Sequence, residues 1–280
     1  MRINQIMKAA YHESKRSSLL VYMVLRVLII VCMVLQVIRG NFDNALLCLF
    51  ALVLLLVPFF VQRKFKITLP NTLEIIILLF IFSAEILGEI QNFYGIIPFW
   101  DTMLHTINGF LAAAIGFSLI NLLNENSHHF NLSPLYLCLV AFCFSMTIGV
   151  IWEFFEFGAD RFLKLDMQKD RIVNQISSVE LDPDKANNPV IIDNIGSTVI
   201  YDQNGDKLVT INGYLDIGII DTMKDLIVNF IGAIVFSIFG YFYLVTGGKN
   251  EFVANFVPTK GSRKLSPNIQ RMISKDKNKK

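Results

Sequence analysis

"LYLCLVAFCFSMTIGVIWEFFEFGADRF", residues 135–162, is the stretch whose reading decides the fold. Residues 135–152 carry no charge. A helix of roughly 20 apolar residues crosses the hydrocarbon core of a bilayer. The run then closes on Glu153, Glu156 and Asp160, spaced three and four apart. On a helix those steps place all three carboxylates on one face. A segment that is at once long enough to span a membrane and acidic at one end asks for a membrane fold with a polar site near one surface.

Five further blocks repeat the pattern. Residues 19–38 contain a single charge, Arg26, and residues 45–61 contain none. Residues 72–87 are apolar between Glu74 and Glu85, residues 104–123 hold only His105 and a few amides, and residues 226–245 are broken only by Asn229 and Ser237. With 54% hydrophobic and 17% charged residues, the chain is also more apolar than a soluble domain of this size needs to be. The expected fold is therefore an all-α membrane protein, a six-transmembrane-helix bundle with a small extracellular loop that contains a β-hairpin. Residues 1–18 form a cytoplasmic tail, 19–160 transmembrane helices 1–5, 161–220 the extracellular loop, 221–247 transmembrane helix 6, and 248–280 a basic cytoplasmic tail. The first block is too long for a signal-peptide core and runs into Arg39-Gly40-Asn41 rather than a small-x-small cleavage site, so it reads as a retained helix. Cys32, Cys48, Cys138 and Cys143 all fall inside the apolar blocks, which points to packing residues rather than a disulfide framework.

Orientation follows from Lys and Arg near the membrane. Arg2, Lys8, Lys15 and Arg16 precede the first block, Arg63, Lys64 and Lys66 lie between the second and third, and nine basic residues follow the sixth. Arg39 is the only one between the first two blocks. Both termini are accordingly expected in the cytoplasm of a multi-pass cell-membrane protein. The connection 124–133 carries no Lys or Arg, and its His128 and His129 read as solvated surface. The loop 161–220 is long enough to translocate whatever its charge. Its "DMQKDRIVNQ" (166–175) could extend the fifth helix, "ELDPDKANNP" (180–189) is turn chemistry, and in "STVIYDQNGDKLVTI" (197–211) two β-rich runs flank Asn204-Gly205, a hairpin signal. The tail 260–280 reads as a flexible basic segment beside anionic headgroups.

Under this topology, polar groups gather at one depth. Glu85 and Glu89 end the third helix on the outer side. Asp101 and His105, four apart, begin the fourth, with Asn108 on the same face. Glu153, Glu156 and Asp160 end the fifth, and Asp221, Asp225 and Asn229 step by four into the sixth. Gly109 and Gly232 follow on the fourth and sixth helices and permit close backbone approach. Charges inside a bilayer cost roughly 2.5–3.5 kcal/mol each on insertion scales. For Asp101, Asp160 and Asp221 the plain alternative is solvation at the interface. For His105, Glu153, Asp225 and Asn229 it is a buried hydrogen-bond network that pins helices together. Crowded carboxylates repel unless they share a proton, a cation or a metal. Lys224 and Arg161 are the only basic residues at this depth, which favours a proton or a divalent cation as the partner.

"PFWDTMLHTINGF" (98–110), "IWEFFEF" (151–157) and "DTMKDLIVNFIGA" (221–233) resemble the motifs of the YjdF-like family of bacterial multi-pass membrane proteins. The pattern is more distantly similar to VanZ-like membrane proteins, with Asp225, Asn229 and Gly232 matching their last element. Where the VanZ-type helix has a Gln after its acid, this chain has Glu156. The resemblance implies a bacterial envelope protein, VanZ-like relatives being tied to glycopeptide tolerance; it implies no particular reaction.

Three functional classes stay open. In a membrane-embedded enzyme at the outer leaflet, Asp101, His105, Glu153 and Asp225 would bind a metal, with His105, Glu153 and Glu156 as the catalytic groups. One His among many carboxylates favours Mg²⁺ or Mn²⁺ over zinc. A lipid-linked envelope precursor would be the substrate and membrane lipids the surroundings, with no sign of nucleic-acid binding. In a proton-coupled transporter, the same side chains would form a relay. No span is obviously broken by proline, however, and the inner halves of the last three helices offer mainly Ser118, Ser145 and Ser237. A non-catalytic scaffold is the third class.

Overall fold

The computed structural model describes residues 2–65, 67–126, 131–248, 251–257 and 259–260. The expected surface pair His128 and His129, Lys66, and the basic tail from 261 onward lie outside the described residues.

Helix α1 (Arg2–Ile38) is followed by α2 (Phe42–Leu54) and α3 (Val57–Phe65). A short strand β1 (Ile67–Thr68) precedes α4 (Asn71–Phe82), which continues without a break into a π-helical segment, Ser83–Ile90. Then come α5 (Phe93–Ile96), α6 (Trp100–Asn126) and α7 (Pro134–Gly158), the last extended by a π-turn, Ala159–Leu163. Among the described residues, five helical stretches are long and apolar enough to cross a membrane: Ser17–Ile38, Phe42–Lys64, Trp100–Asn124, Pro134–Leu163 and Ile219–Val245.

Local chemistry explains the ends of these helices. α1 closes on Gly40 at φ +77°, with Gly40 N–H donating to Val37 O and Asn41 N–H to Gln36 O. Only a residue free of Cβ strain suits that left-handed cap. α7 opens with Pro134 at a position where its missing N–H costs nothing, and the Ser133 hydroxyl accepts from Tyr136 N–H at 3.3 Å. The second apolar block does not form one helix. It breaks between α2 and α3, where Leu56 N–H turns back to Val53 O, because Pro58 offers no N–H to continue the ladder. This corrects the expectation that no span is broken by proline.

The chain divides into two compact units, Met1–Gly149 with Val228–Lys280, and Val150–Ile227; the boundary falls within α7 and α8 (Ile219–Val245). Among the described residues the first unit has two apolar cores. One joins Leu25 and Ile29 of α1, Cys48 and Ala51 of α2, and Leu78, Ile81 and Ile86 of α4 and its π-extension. The other joins Leu73, Ala113, Phe117, Ala141, Ala233 and Phe236 with Val253, Phe256 and Val257. These last three follow α9 (Glu251–Ala254) or belong to it, so the segment after α8 is not wholly a loose basic tail. Its apolar pairs at 252–253 and 256–257 fold back, and β8 (Thr259–Lys260) pairs antiparallel with β1.

The second unit contains the long loop. β2 (Ile172–Val173) pairs with β7 (Tyr214–Leu215), so the loop is zipped at its two ends. β3 (Ile176–Ser178) pairs with β4 (Val190–Ile192), and β5 (Thr198–Tyr201) with β6 (Lys207–Ile211) around Asn204-Gly205. Residues 166–175 do not extend α7. The helix stops at Leu163, Lys164 takes a left-handed φ of 59°, and Ile172–Val173 is strand.

Candidate functional site

In the first unit, α6 places Asp101 in its first turn and His105 one turn later. His105 Nε2 lies 3.4 Å from Asp101 Oδ1, and the two side chains are 13% and 24% exposed. A carboxylate oxygen and an imidazole nitrogen at this spacing offer two ligand atoms to one cation, or an acid–base pair.

One turn further along α6 the chemistry becomes neutral. Asn108 Nδ2 donates to Asn229 Oδ1 of α8 at 3.2 Å. Asn229 Nδ2 points to Ser145 O of α7 at 3.5 Å, and Ser145 Oγ donates to Gly109 O of α6 at 2.7 Å. Three helices are thus tied by amide and hydroxyl groups, none charged. Glycines make the approach possible: a Cβ on Gly109 would collide with Asn229 O, one on Gly232 with Thr106 O, and one on Gly149 would sit 2.8 Å from Asn229 Nδ2. Such small-residue crossings with side-chain hydrogen bonds are how helices associate where lipid supplies no hydrophobic drive. Asn229 therefore serves the pinning network foreseen as the plain alternative. Ser145, counted on sequence grounds among inner-half hydroxyls, is a member of it.

Glu85 and Glu89 ride on the π-helical segment, Glu85 half-buried and Glu89 exposed. The segment is held by Trp100, whose Nε1 donates to Ser83 O at 3.3 Å, and by Gly88, where a Cβ would meet the Tyr94 ring. π-Helical segments are rare and recur at functional sites.

In the second unit, Glu153 and Glu156 of α7 and Asp221 and Asp225 of α8 are all buried. Glu156 Oε1 accepts from Trp152 Nε1 at 2.7 Å, one turn back on the same helix. Asp160 and Asp221 are not merely wet. Asp160 accepts the N–H groups of Met167 at 2.6 Å and Gln168 at 2.9 Å. Asp221 accepts Lys169 N–H at 3.0 Å and pairs with Arg171 at 3.2 Å. Both carboxylates moor the start of the loop. Arg171 escaped sequence reading as a counter-ion because 50 residues separate it from Asp221.

Aspartates shape the loop itself in the same way. Asp182 is held below the usual carboxylate range by N–H donors, foremost Asn188, with Asp184 and Ala186. Asp202 is lowered chiefly by Asp206 N–H, with Asn204 assisting. At Asp216 burial pushes upward, yet the N–H groups of Arg171, Ile220 and Gly218 outweigh it and the net shift is downward. Asp170 moves the other way, raised by burial and then by Asp166, Asp216 and Asp160.

Residues 20–182, more than half of the chain, match the family described as predicted membrane protein, DUF2238. An uncharacterized protein of Thermotoga maritima is 27% identical over 106 residues, which is 38% of this chain and 53% of that protein. The chain thus spans about half the length of this curated relative. No solved structure matches. The matched span includes the Asp101/His105 and Glu153/Glu156 motifs and stops before Asp221. By that match the chain belongs to the DUF2238 family of predicted membrane proteins.

Proposed function

We propose that this integral membrane protein acts in the bacterial cell envelope as a metal-dependent enzyme on a lipid-linked substrate at the outer leaflet. The proposal includes the YjdF-like and more distant VanZ-like kinship suggested by the three motifs. It also includes six spans with both termini inside, supported by the Lys/Arg distribution. The sixth span would be α4 with its π-extension, 12 and 8 residues long, together close to a bilayer's thickness.

The observation that carries the reading is the Asp101–His105 pair at 3.4 Å on the first two turns of α6. With one imidazole among several carboxylates, the candidate donor set is rich in oxygen, which suits Mg²⁺ or Mn²⁺. On sequence grounds Glu153 and Asp225 remain the candidates for further ligands, and Glu156 for the proton-transfer group. A cation so held would polarise a phosphoryl oxygen and lower the pKa of a bound water. His105, when not ligating, would serve as a base.

The test is thermal unfolding of detergent-purified protein with and without Mg²⁺, Mn²⁺ or Zn²⁺. Wild type should be stabilised by about 2.7 kcal/mol at a hundred times the dissociation constant. Asp101→Asn, His105→Gln and Glu153→Gln should each lose that response. A wild-type protein indifferent to all three ions would remove the metal and leave a pinning network.

One finding favours the transporter as a second reading. The break before Pro58 and the π-helical Glu85/Glu89 segment are irregularities within the apolar blocks, a kind of feature that transporters use. Proton uptake by proteoliposomes that Glu85→Gln abolishes would shift the balance to it.

A further inference from the structure

The facing sides of α1 and α2 meet in a register centred on Gly40. Leu25 and Leu55 stand fifteen residues to either side of it, Ile29 and Ala51 eleven, and Cys32 and Cys48 eight. All six belong to one apolar core or pack against it, as two antiparallel helices joined by a tight turn require. At 1.5 Å per residue the two cysteines lie at one depth, roughly 12 Å from the turn. Their thiols are close enough to interact directly, and both are free. Cys48 and Ala51 are wholly buried, and side chains this small let the helix backbones approach.

The two sulfurs differ in access. Cys48 is sealed in the core, whereas Cys32 is half-buried beside the exposed Leu28 and Val31. Both lie inside stretches fit to cross a membrane, so a reagent that meets Cys32 is one that dissolves in hydrocarbon. Gln36, one turn from Cys32 on the same face of α1, is buried, and its Oε1 has no hydrogen-bond partner among the described residues. A buried amide oxygen so placed is costly, and it puts a proton acceptor on the face that carries the thiol.

We propose that Cys32 and Cys48 form a redox-active dithiol, oxidised to an interhelix disulfide by a membrane-soluble quinone. Two S–H bonds break and one S–S bond forms. Both electrons and both protons pass to the quinone, whose two carbonyl oxygens become the hydroxyls of the hydroquinone. The net exchange leaves no charge in the apolar layer, where an ionic oxidant would be expensive to bring. Cys32 meets the quinone, and Cys48 closes the bond from the core side. The pair does not rest on the cation reading.

Counting thiols tests it. Reduced, desalted protein in lipid nanodiscs is treated with decylubiquinone, a fully substituted quinone, then denatured and labelled with a maleimide, and intact mass counts the labels. Wild type should fall from four labels to two, with one hydroquinone formed per chain, and dithiothreitol should restore all four. A Cys138→Ala, Cys143→Ala double variant, which keeps only the proposed pair, should fall from two labels to none. Cys32→Ser and Cys48→Ser should each keep their remaining three. Undiminished labelling of quinone-treated wild type and double variant would overturn the proposal and leave the cysteines as packing residues. Label loss from Cys32→Ser equal to that from wild type would show unspecific oxidation and overturn it too.

Discussion

Two regions of this protein solve one problem, how to hold backbones together with polar side chains, by opposite means. In the first unit the α6, α7 and α8 crossing uses neutral groups: Asn108, Ser145 and Asn229, set among Gly109, Gly149 and Gly232. In the second unit the loop uses carboxylates: Asp160, Asp182, Asp202, Asp216 and Asp221 each accept one to three backbone N–H groups. The difference follows from the surroundings. Inside a bilayer a charge without compensation costs several kcal/mol, whereas an amide satisfied by another amide costs little. In the loop the carboxylates are compensated by N–H donors, and buried Asp221 by Arg171 as well, and a charged acceptor makes the stronger bond to N–H.

The comparison breaks most readily at its glycines. Gly232→Leu would force α8 away from Thr106 O, a backbone atom that cannot yield as a flexible side chain would. We expect a loss of roughly 3 kcal/mol or outright failure to fold. Gly205→Ala in the loop, at φ +91° but with nothing within 4 Å, should cost only about 1 kcal/mol of backbone strain. Unfolding midpoints in detergent compare the two directly, and equal losses would mean that α6 and α8 do not approach as closely as described.

A smaller effect is expected at Asn229. Asn229→Leu removes the acceptor of Asn108 and the donor toward Ser145 O. Hydrogen bonds between membrane helices are worth about 1 kcal/mol, so the variant should unfold at moderately lower temperature. A stabilised variant would show that the amide serves binding rather than packing.

The smallest effect concerns pH. Asp182, Asp202 and Asp216 have folded-state pKa values below the usual 3.8. The unfolded loop therefore binds more protons than the folded one as pH falls past 3.8. The stabilisation is complete above that value and disappears as pH drops through the lower folded values. Asp170, raised, works in the opposite sense and is eased by protonation. Amide resonances of Asn188, Asn204 and Asp206 in detergent micelles should lose dispersion only below pH 3.8, while the helices persist. Asp202→Asn should bring on the change at 204 and 206 without acid. A loop that loosens near neutral pH would contradict the roles given to these aspartates.

Much of this was legible residue by residue. The uncharged run 135–152 makes a helix fit for a membrane because its length and composition leave no other way to satisfy its backbone. Asn204-Gly205 lies where β5 and β6 turn. The four-residue step from Asp101 to His105 implies their contact, since neighbours on successive turns meet whatever surrounds the helix. The break at Leu55–Leu56 was legible too, in Pro58, but was outweighed by the uninterrupted hydropathy around it. The π-helical register of Ser83–Ile90 had no local mark; Trp100 and Tyr94, which seat against that segment, lie beyond it in the chain.

By itself, then, the sequence determined what depends on near neighbours: apolar lengths, caps, turns and pairs one helical turn apart. Only the tertiary structure decided which distant polar groups serve one another. It gave Arg171 to Asp221, and Asn229 to Asn108 and Ser145. These partners are 50 to 121 residues apart. No periodicity encodes such a choice, because it depends on the rotation and depth at which whole helices and loop ends come to rest, and those are set by packing summed over every contact at once.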